Sequence, residues 1–383
     1  MSLNKKNEGY PMFKKISFIV VFALFASSTR AMETKYTFSG EWTSLYGYSF
    51  PDKTYKHQDK RQFFVNTATL NLGAEKTFGK EYSLGVFADL MVAVNKRQRN
   101  YSNGLWGHEI YGIFDMPYGR IMLGETYNTA AQFHISAPKV GKFGVNDSEI
   151  VDFIANPNWQ KTKHQTAYRT LNSTAVNTDG TAPKISYLSP EYHNLTLGFS
   201  YIPETYSRTG LINRDARYAD KEGYVFAAYY TADLGFAEME SSVGYGLFNR
   251  NDRDFSVGLS VYKEGWTIGG SWRKTDVTGK DYAITNQSFN PRLPDLFDNY
   301  REAHAWDIGV GYEFGPFKTA VSYFESKAEH TNNRDKIWLW SNEFRYNKQS
   351  AFYLAAAKAN FKGQTTDLSN KGYSAIIGFS LNF

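Results

Sequence analysis

From residue 34 onward the sequence alternates in two ways at once, and together these leave few folds open. Within each stretch the side chains change character every second residue, the period of a β-strand. In the first stretch Tyr36, Phe38, Trp42, Tyr46 and Tyr48 share one face, with Thr37, Ser39, Glu41 and Thr43 on the other. In the last, Tyr373, Ala375, Ile377, Phe379, Leu381 and Phe383 oppose Ser374, Gly378, Ser380 and Asn382. Between stretches, tight turns alternate with longer polar loops. Seven short connections fall at 78–80, 117–119, 190–194, 233–235, 263–265, 315–316 and 347–349. Eight mostly longer ones fall near 50–60, 97–104, 128–180, 206–221, 250–253, 277–300, 331–334 and 364–370. Fifteen connections join sixteen strands, with every short turn and both chain ends on one rim. A sandwich gives no reason for such an arrangement. An even-stranded barrel that crosses a membrane does, with short turns on one side and loops on the other. The expected fold is all-β, a 16-stranded antiparallel transmembrane β-barrel.

The outward residues are also sorted by depth. Aromatics gather beside the short turns, at Phe78, Tyr82, Tyr118, Trp266, Phe314, Phe317, Tyr346 and Phe352. Mid-strand positions on that face hold Leu84, Val86, Ala88, Leu90, Ile308 and Val310. Aromatic rings favour the headgroup level and aliphatic chains the hydrocarbon. The other face carries Thr, Ser and Gly together with Asp89, Glu240, Arg273, Asp307, Glu313 and, on the same reading, Lys358. A dry core cannot hold so many charges, whereas a water-filled lumen can. Aromatics at 17% of the chain therefore coexist with a mean hydropathy of −0.49. No stretch after residue 31 runs to 18 apolar residues, so helical membrane spans are excluded there. The absence of Cys excludes disulfide scaffolds, thiolate metal sites and cysteine catalysis.

The first residues read as an address. Lys14 and Lys15 precede the apolar run FIVVFALFA at 18–26, and Thr29 and Ala31 place small residues at −3 and −1 of a cleavage site. The run is too short to span a bilayer, so the segment is expected to be a cleavable signal peptide. Residues 1–11 then form an upstream extension, 12–31 the signal peptide, and 32–383 one barrel domain. The leader holds five basic residues (Lys5, Lys6, Lys14, Lys15, Arg30) and Glu8, so removing it takes 43 basic and 38 acidic residues to 38 and 37. So even a balance gives no case for nucleic-acid binding.

Three segments carry a resemblance to a known family. They are HEIYGIFDMPYGRIMLGETYNTA at 108–130, KISYLSPEYHNLTLGFSYIP at 184–203, and the terminal GFSLNF ending in Phe383. With these the chain resembles the trimeric general porins of Gram-negative outer membranes, over most of residues 34–383. The resemblance implies sixteen strands, a homotrimer, and a third loop folded into the pore as a constriction. It implies a water-filled channel for passive diffusion of ions and small hydrophilic solutes, exported to the outer membrane. Phe383 is then the signal that the barrel-assembly machinery reads. One departure stands out: porins of this type often carry Arg-Gln after the strand entering loop three, and here the matching place reads Glu125-Thr126.

Loop three, at 128–180, is the longest connection, and long loops in compact domains are usually functional. Phe133, Ile135, Val140, Phe143, Ile150, Val151, Phe153 and Ile154 would let it pack on a wall. It also holds Asp147, Glu149 and Asp152 within six residues. In the porin reading these acids line one side of the pore constriction and bases of the wall line the other, and rings of charge set ion preference. Arg120 and Lys184 point inward by parity, and Arg61 and Arg169 are further partners to consider. Lys56, Lys60, Arg61, Lys96, Arg97 and Arg99 at loop bases are placed to meet lipopolysaccharide phosphates, or are ordinary solvated charge.

No catalytic, cofactor or metal site is expected. The seven His are scattered without HExxH spacing, NRNDRD at 249–254 reads as a hairpin tip rather than a calcium loop, and GxSxG is missing. Two other classes stay open on sequence grounds. A lipase-like outer-membrane enzyme needs an outward Ser–His pair, which parity does not provide. A structural or adhesive barrel needs a plugged lumen.

Overall fold

A sheet in lipid cannot leave an edge unpaired, because each bare backbone group costs several kcal/mol there. The chain meets this by closing on itself. The computed structural model describes residues 34–51, 61–79, 81–94, 104–158, 170–203, 222–248, 252–276 and 302–383. Sixteen antiparallel strands follow one another around a closed barrel, each bonded to its sequence neighbours. They are β1 Thr34–Pro51, β2 Gln62–Phe78, β3 Tyr82–Val94, β4 Gly104–Met116, β5 Gly119–Glu125, β6 Pro183–Leu188, β7 Leu195–Ile202 and β8 Gly223–Asp233. After these come β9 Glu238–Phe248, β10 Asp252–Lys263, β11 Trp266–Asp276, β12 Ala303–Phe314, β13 Phe317–Ala328, β14 Arg334–Arg345, β15 Ser350–Lys362 and β16 Asn370–Asn382. Strand number, order and the alternation of short and long connections agree with the sequence reading. The signal-peptide segment and Lys56, Lys60, Lys96, Arg97, Arg99 and Arg169 lie outside the described residues.

The seam joins β1 to β16, with Glu41 opposite Asn382 and Pro51 opposite Gly372. The other side of β1 pairs with β2 from Thr34↔Lys76 to Tyr48↔Gln62. Tyr36 and Phe38 run past the seam and pair with β2 alone. Phe383 closes the joint: its carbonyl accepts from Gly40 N at 2.8 Å and its N–H donates to Gly40 O at 3.0 Å. At the other end of the hairpin series, the two-residue Glu264–Gly265 turn holds φ at 47° and 84°. That is the type I′ geometry whose twist matches its flanking strands.

Strand parity separates the two faces. Ile308, Val310, Val321, Leu354 and Ile377 are exposed on the outer face. The opposite face is buried and small: Ser, Gly and Ala dominate, with Ala303, Ala305, Ala355, Ala357 and Ala359 at 5% exposure or less. One assignment is corrected. Lys358 shares parity with exposed Phe352 and Leu354, and its ammonium lies 5.5 Å from the ring of outward Tyr373. Its charge argued for the lumen, but parity with Phe352 and its neighbour Ala357 on the inner face both turn it outward.

Candidate functional site

The site is built where loop three meets the wall. Asn128 starts the loop. Its Oδ1 accepts from Ala131 N at 2.9 Å and so caps the short helix α1, Thr129–Gln132. Its Nδ2 donates to Val176 O at 2.9 Å and Asp179 Oδ1 at 2.5 Å, tying the beginning of the loop to its end. Six of the eight apolar anchors named from the sequence belong to packed clusters or abut one, and the other two, Ile135 and Val140, are buried as well. Phe143, Ile150, Val151, Phe153 and Ile154 are at most 1% exposed, among Leu45, Phe324, Ile337, Ala357, Phe361 and Ile376 of the buried wall face. Phe133 packs on a second cluster, its ring 5.8 Å from that of Tyr229.

Bare backbone makes the fit possible. A Cβ on Gly258 would lie 2.1 Å from the Ile135 carbonyl oxygen, and one on Gly309 3.1 Å from Pro138 Cδ. These wall glycines let the loop chain approach closer than any side chain allows.

Three buried wall carboxylates then latch the loop. Asp307 accepts from Ala137 N (2.6 Å), Asn146 Nδ2 (2.7 Å), Thr174 Oγ1 (2.7 Å) and Ser271 Oγ (2.5 Å). Asp335 accepts from Asn156 Nδ2 (2.9 Å), Asn158 Nδ2 (2.6 Å) and the Thr170 hydroxyl. Asp254 accepts from Thr178 Oγ1 (2.7 Å) and from Arg273 through Nε (2.8 Å) and an Nη (2.6 Å). Arg273 also donates to Ser173 O and Asn177 Oδ1, and is fully buried. Burying a charge is costly unless it is compensated: Asp254 is paired with Arg273, and Asp307 and Asp335 are held by neutral hydrogen-bond donors. His134 in the loop hydrogen-bonds Thr174 Oγ1 at 3.1 Å. Desolvation, with Arg273 nearby, pushes its pKa down to about 4, so the ring is neutral at neutral pH.

The residues singled out from the sequence are not gathered into one cluster. Asp147 and Glu149 are half-buried on the loop, and Asp147 Oδ1 accepts from Asn172 Nδ2 at 3.1 Å. Asp152 is 1% exposed, in the short 3₁₀ turn Glu149–Asp152. Arg120 lies near the β4–β5 turn with its Nε 2.6 Å from Asp115 Oδ1. Lys184 is buried, 3.1 Å from Asp179 Oδ2, and donates to Ala182 O and Thr126 O. Arg61 is exposed at the foot of the first loop, where its carbonyl accepts from Ser49 N. At Glu125-Thr126, where porins of this type often carry Arg-Gln, Thr126 Oγ1 donates to Glu109 Oε2 at 2.5 Å. The wall carboxylates Asp254, Asp307 and Asp335 were the residues missed as latches. Their signal was available: an acid at an inward position where a long loop must rest.

Elsewhere the inner face carries Lys142–Glu41 (2.5 Å), Lys318–Glu313 (2.5 Å) and Arg345–Glu343 (3.0 Å). Half-buried Glu75, Asp89 and Glu109 share it on β2–β4. A cavity of about 750 Å³ opens between Pro138–Val140 and the short-turn ends of β8–β13. Among the described residues no group of three His, Asp or Glu is placed to hold a metal ion.

The sequence profile of the Gram-negative porins matches residues 19–364. The chain belongs to that family. Its fold is similar to that of an anion-selective porin from Comamonas acidovorans (TM-score 0.62, 13% identity, covering 92% of this chain and all of that one). It is also similar to the OmpT outer-membrane protein of Vibrio cholerae (TM-score 0.55, 10% identity, 93% and 99% covered). A variant of the Rh. blastica porin aligns with a TM-score of 0.53 at 9% identity, over 91% of this chain and all of that one. No curated protein matches the chain. At such identities the structural likeness speaks for the barrel and the profile for the family. As a Gram-negative porin, the protein forms a channel in the outer membrane.

Proposed function

We propose that this porin is a passive diffusion channel narrowed by loop three. The observation that carries it is the seating of loop three on the inner wall, where Phe143, Ile150, Val151, Phe153 and Ile154 are buried and the carboxylates of Asp307 and Asp335 accept loop hydrogen bonds. Arg120, Lys142, Lys184, Arg273, Lys318 and Arg345 each lie against an acid of their own. In a narrow lumen, two charges about 4 Å apart interact by roughly 4 kcal/mol at intermediate dielectric, against about 1 in bulk water. The rim contributes less, because it is screened over about 8–10 Å at physiological salt.

The work is done without catalysis or cofactor: solutes move down their gradients, filtered by width and charge. The assembly is a homotrimer, as the trimer form of Vibrio cholerae OmpT is for that protein. A leader ending at Ala31 is removed on export, outer-membrane lipid surrounds the barrel, and the assembly machinery reads Phe383. Reversal potential in a planar bilayer under a salt gradient tests the reading. Asp147→Asn, Glu149→Gln and Asp152→Asn together should move the potential toward anions. Three equivalent changes at Asp281, Asp295 and Asp298 on a long loop should move it little. Equal shifts from both triples would take the acidic trio away from the constriction.

A further inference from the structure

The outer face carries two register rows that the channel does not use. At the short-turn end, Phe314 pairs with Phe317, Phe317 with Phe344, Phe344 with Phe352 and Phe352 with Phe379, across five adjacent strands. Three of these ring pairs lie 4.9–5.3 Å apart. At the loop end, Lys274 pairs with His304, His304 with Lys327, Lys327 with Arg334 and Arg334 with Lys362. Each of four strands holds its aromatic and its basic residue ten positions apart: His304 and Phe314, Phe317 and Lys327, Arg334 and Phe344, Phe352 and Lys362. At about 3.3 Å per residue and a tilt near 40°, ten residues rise roughly 25 Å, the height of an outer-membrane apolar band. The basic row therefore stands one hydrocarbon thickness above the aromatic one, at the headgroups of the loop-side leaflet.

The layer beneath the basic row suits an amphiphile. Trp306, Tyr323 and Trp338 stack with centroids 5.0 and 4.5 Å apart, and Lys358 lies over Tyr373. Acids are few on this patch. Among the described residues Glu325 holds Arg334 and Lys336, Glu329 holds His304, Glu302 holds His330, and Asp276 lies at the end of β11. Lys274, Lys327 and Lys362 have no ion pair among the described residues. Among the described residues the patch is thus cationic in excess, at the level of the lipid headgroups.

We infer that the row Lys274–Lys327–Arg334–Lys362 binds the phosphate groups of a phosphorylated glycolipid in the loop-side leaflet. The inference rests on the outer-membrane porin reading. It adds a site formed by strand register on β11–β15 to the lipopolysaccharide contact expected at the loop bases near residues 56–61 and 96–99. Lys and Arg grip phosphate by charge-assisted hydrogen bonds, and the aromatic layer receives the upper acyl chains.

The test uses the full chain folded in detergent micelles, with bisphosphorylated lipid A, its dephosphorylated form and inorganic phosphate as probes. Binding is read by tryptophan fluorescence and by the shift in melting temperature. Wild type should bind the phosphorylated glycolipid and neither of the others. Each basic residue near an anionic surface contributes roughly fivefold in affinity, so Lys327→Gln/Arg334→Gln/Lys362→Gln should bind on the order of a hundredfold more weakly. Lys274→Gln/Lys362→Gln breaks no ion pair, keeps the fold out of question, and should lose roughly twenty-fivefold. Lys35→Gln/Lys263→Gln/Lys348→Gln at the other rim should bind like wild type. Wild-type affinity in both row variants overturns the inference, as does equal binding of dephosphorylated glycolipid or of inorganic phosphate. A changed assembly size in the row variants overturns it in favour of a protein interface. Planar-bilayer conductance separates the two levels: a conducting protein without phosphate-dependent binding loses the lipid site and keeps the porin reading.

Discussion

Replacing Asp307 by Ala removes the acceptor for three loop donors, Ala137 N, Asn146 Nδ2 and Thr174 Oγ1, and for one wall donor, Ser271 Oγ. Hydrogen bonds to a charged acceptor contribute about 1.5–3 kcal/mol each. The loss is offset by the desolvation cost of the buried carboxylate, several kcal/mol, and by water entering its place. A net weakening of about 2–4 kcal/mol for the loop on the wall follows, or on the order of 30- to 1000-fold more released loop. The barrel itself should stay folded, because the β12 ladders to β11 and β13 are untouched. Since the chain has no Cys, Ala137→Cys introduces a single reporter thiol at a position only 4% exposed. Its labelling rate by a pore-permeant thiol reagent follows the released fraction when reclosing is fast. Ser322→Ala provides the scale: it removes one bond, from Ser322 Oγ to Pro138 O at 3.0 Å. That bond is neutral and should change labelling by about fivefold. If Asp307→Ala speeds labelling of the reporter thiol no more than Ser322→Ala does, the carboxylate is not what holds the loop.

Three further outcomes are expected. Gly258→Val, with its Cβ forced to 2.1 Å from the Ile135 carbonyl, should lift the loop and raise single-channel conductance, whereas outward Gly112→Val, whose nearest neighbour is 3.6 Å away, should leave it unchanged. Deleting Phe383 removes two backbone bonds to Gly40 and a ring 6.3 Å from that of Phe38; a seam weaker by roughly 3–5 kcal/mol should sharply lower the heat-modifiable folded fraction, while Phe383→Ala, which keeps the backbone bonds, should fall between. His134 has a pKa of about 4 in the packed loop against 6.5 when free, so proton uptake favours release. Loop packing should be constant above about pH 7 and weaken as pH falls from 6.5 to 4, by roughly 3 kcal/mol at completion, raising labelling of the same reporter thiol in acid, and His134→Asn should flatten that rise.

The wall was legible because its code is local. A residue such as Ile308 or Val310 declares its face through its neighbours two positions away, and turn residues such as Glu264 and Gly265 mark each reversal. Lys358 shows the limit. Its charge argued for the lumen, but its register places it over Tyr373, where a long side chain reaches the headgroup level. The loop was legible in outline only. Its apolar anchors announced that it would pack, yet which acids face water depends on contacts made across more than a hundred residues. Asp152 looked like Asp147 in sequence, but it is buried. Arg120 and Lys184 were placed on the inner face by parity, yet Asp115 and Asp179, which pair with them, follow from no local pattern.

The seam between β1 and β16 has a consequence for how the chain acquires its shape. Every other strand pair joins neighbours in sequence, whereas Trp42 must find Leu381. Loop-closure entropy grows as about (3/2)RT ln n, so bringing such distant ends together costs roughly 3 kcal/mol more than closing a short hairpin. Hairpins can assemble early and in any order, but closure is a long-range event of high contact order and belongs at the end of folding. Until residue 382 is in place, the growing sheet keeps two bare edges open to neighbouring strands, so the interval before closure is when this protein is most exposed to misassembly.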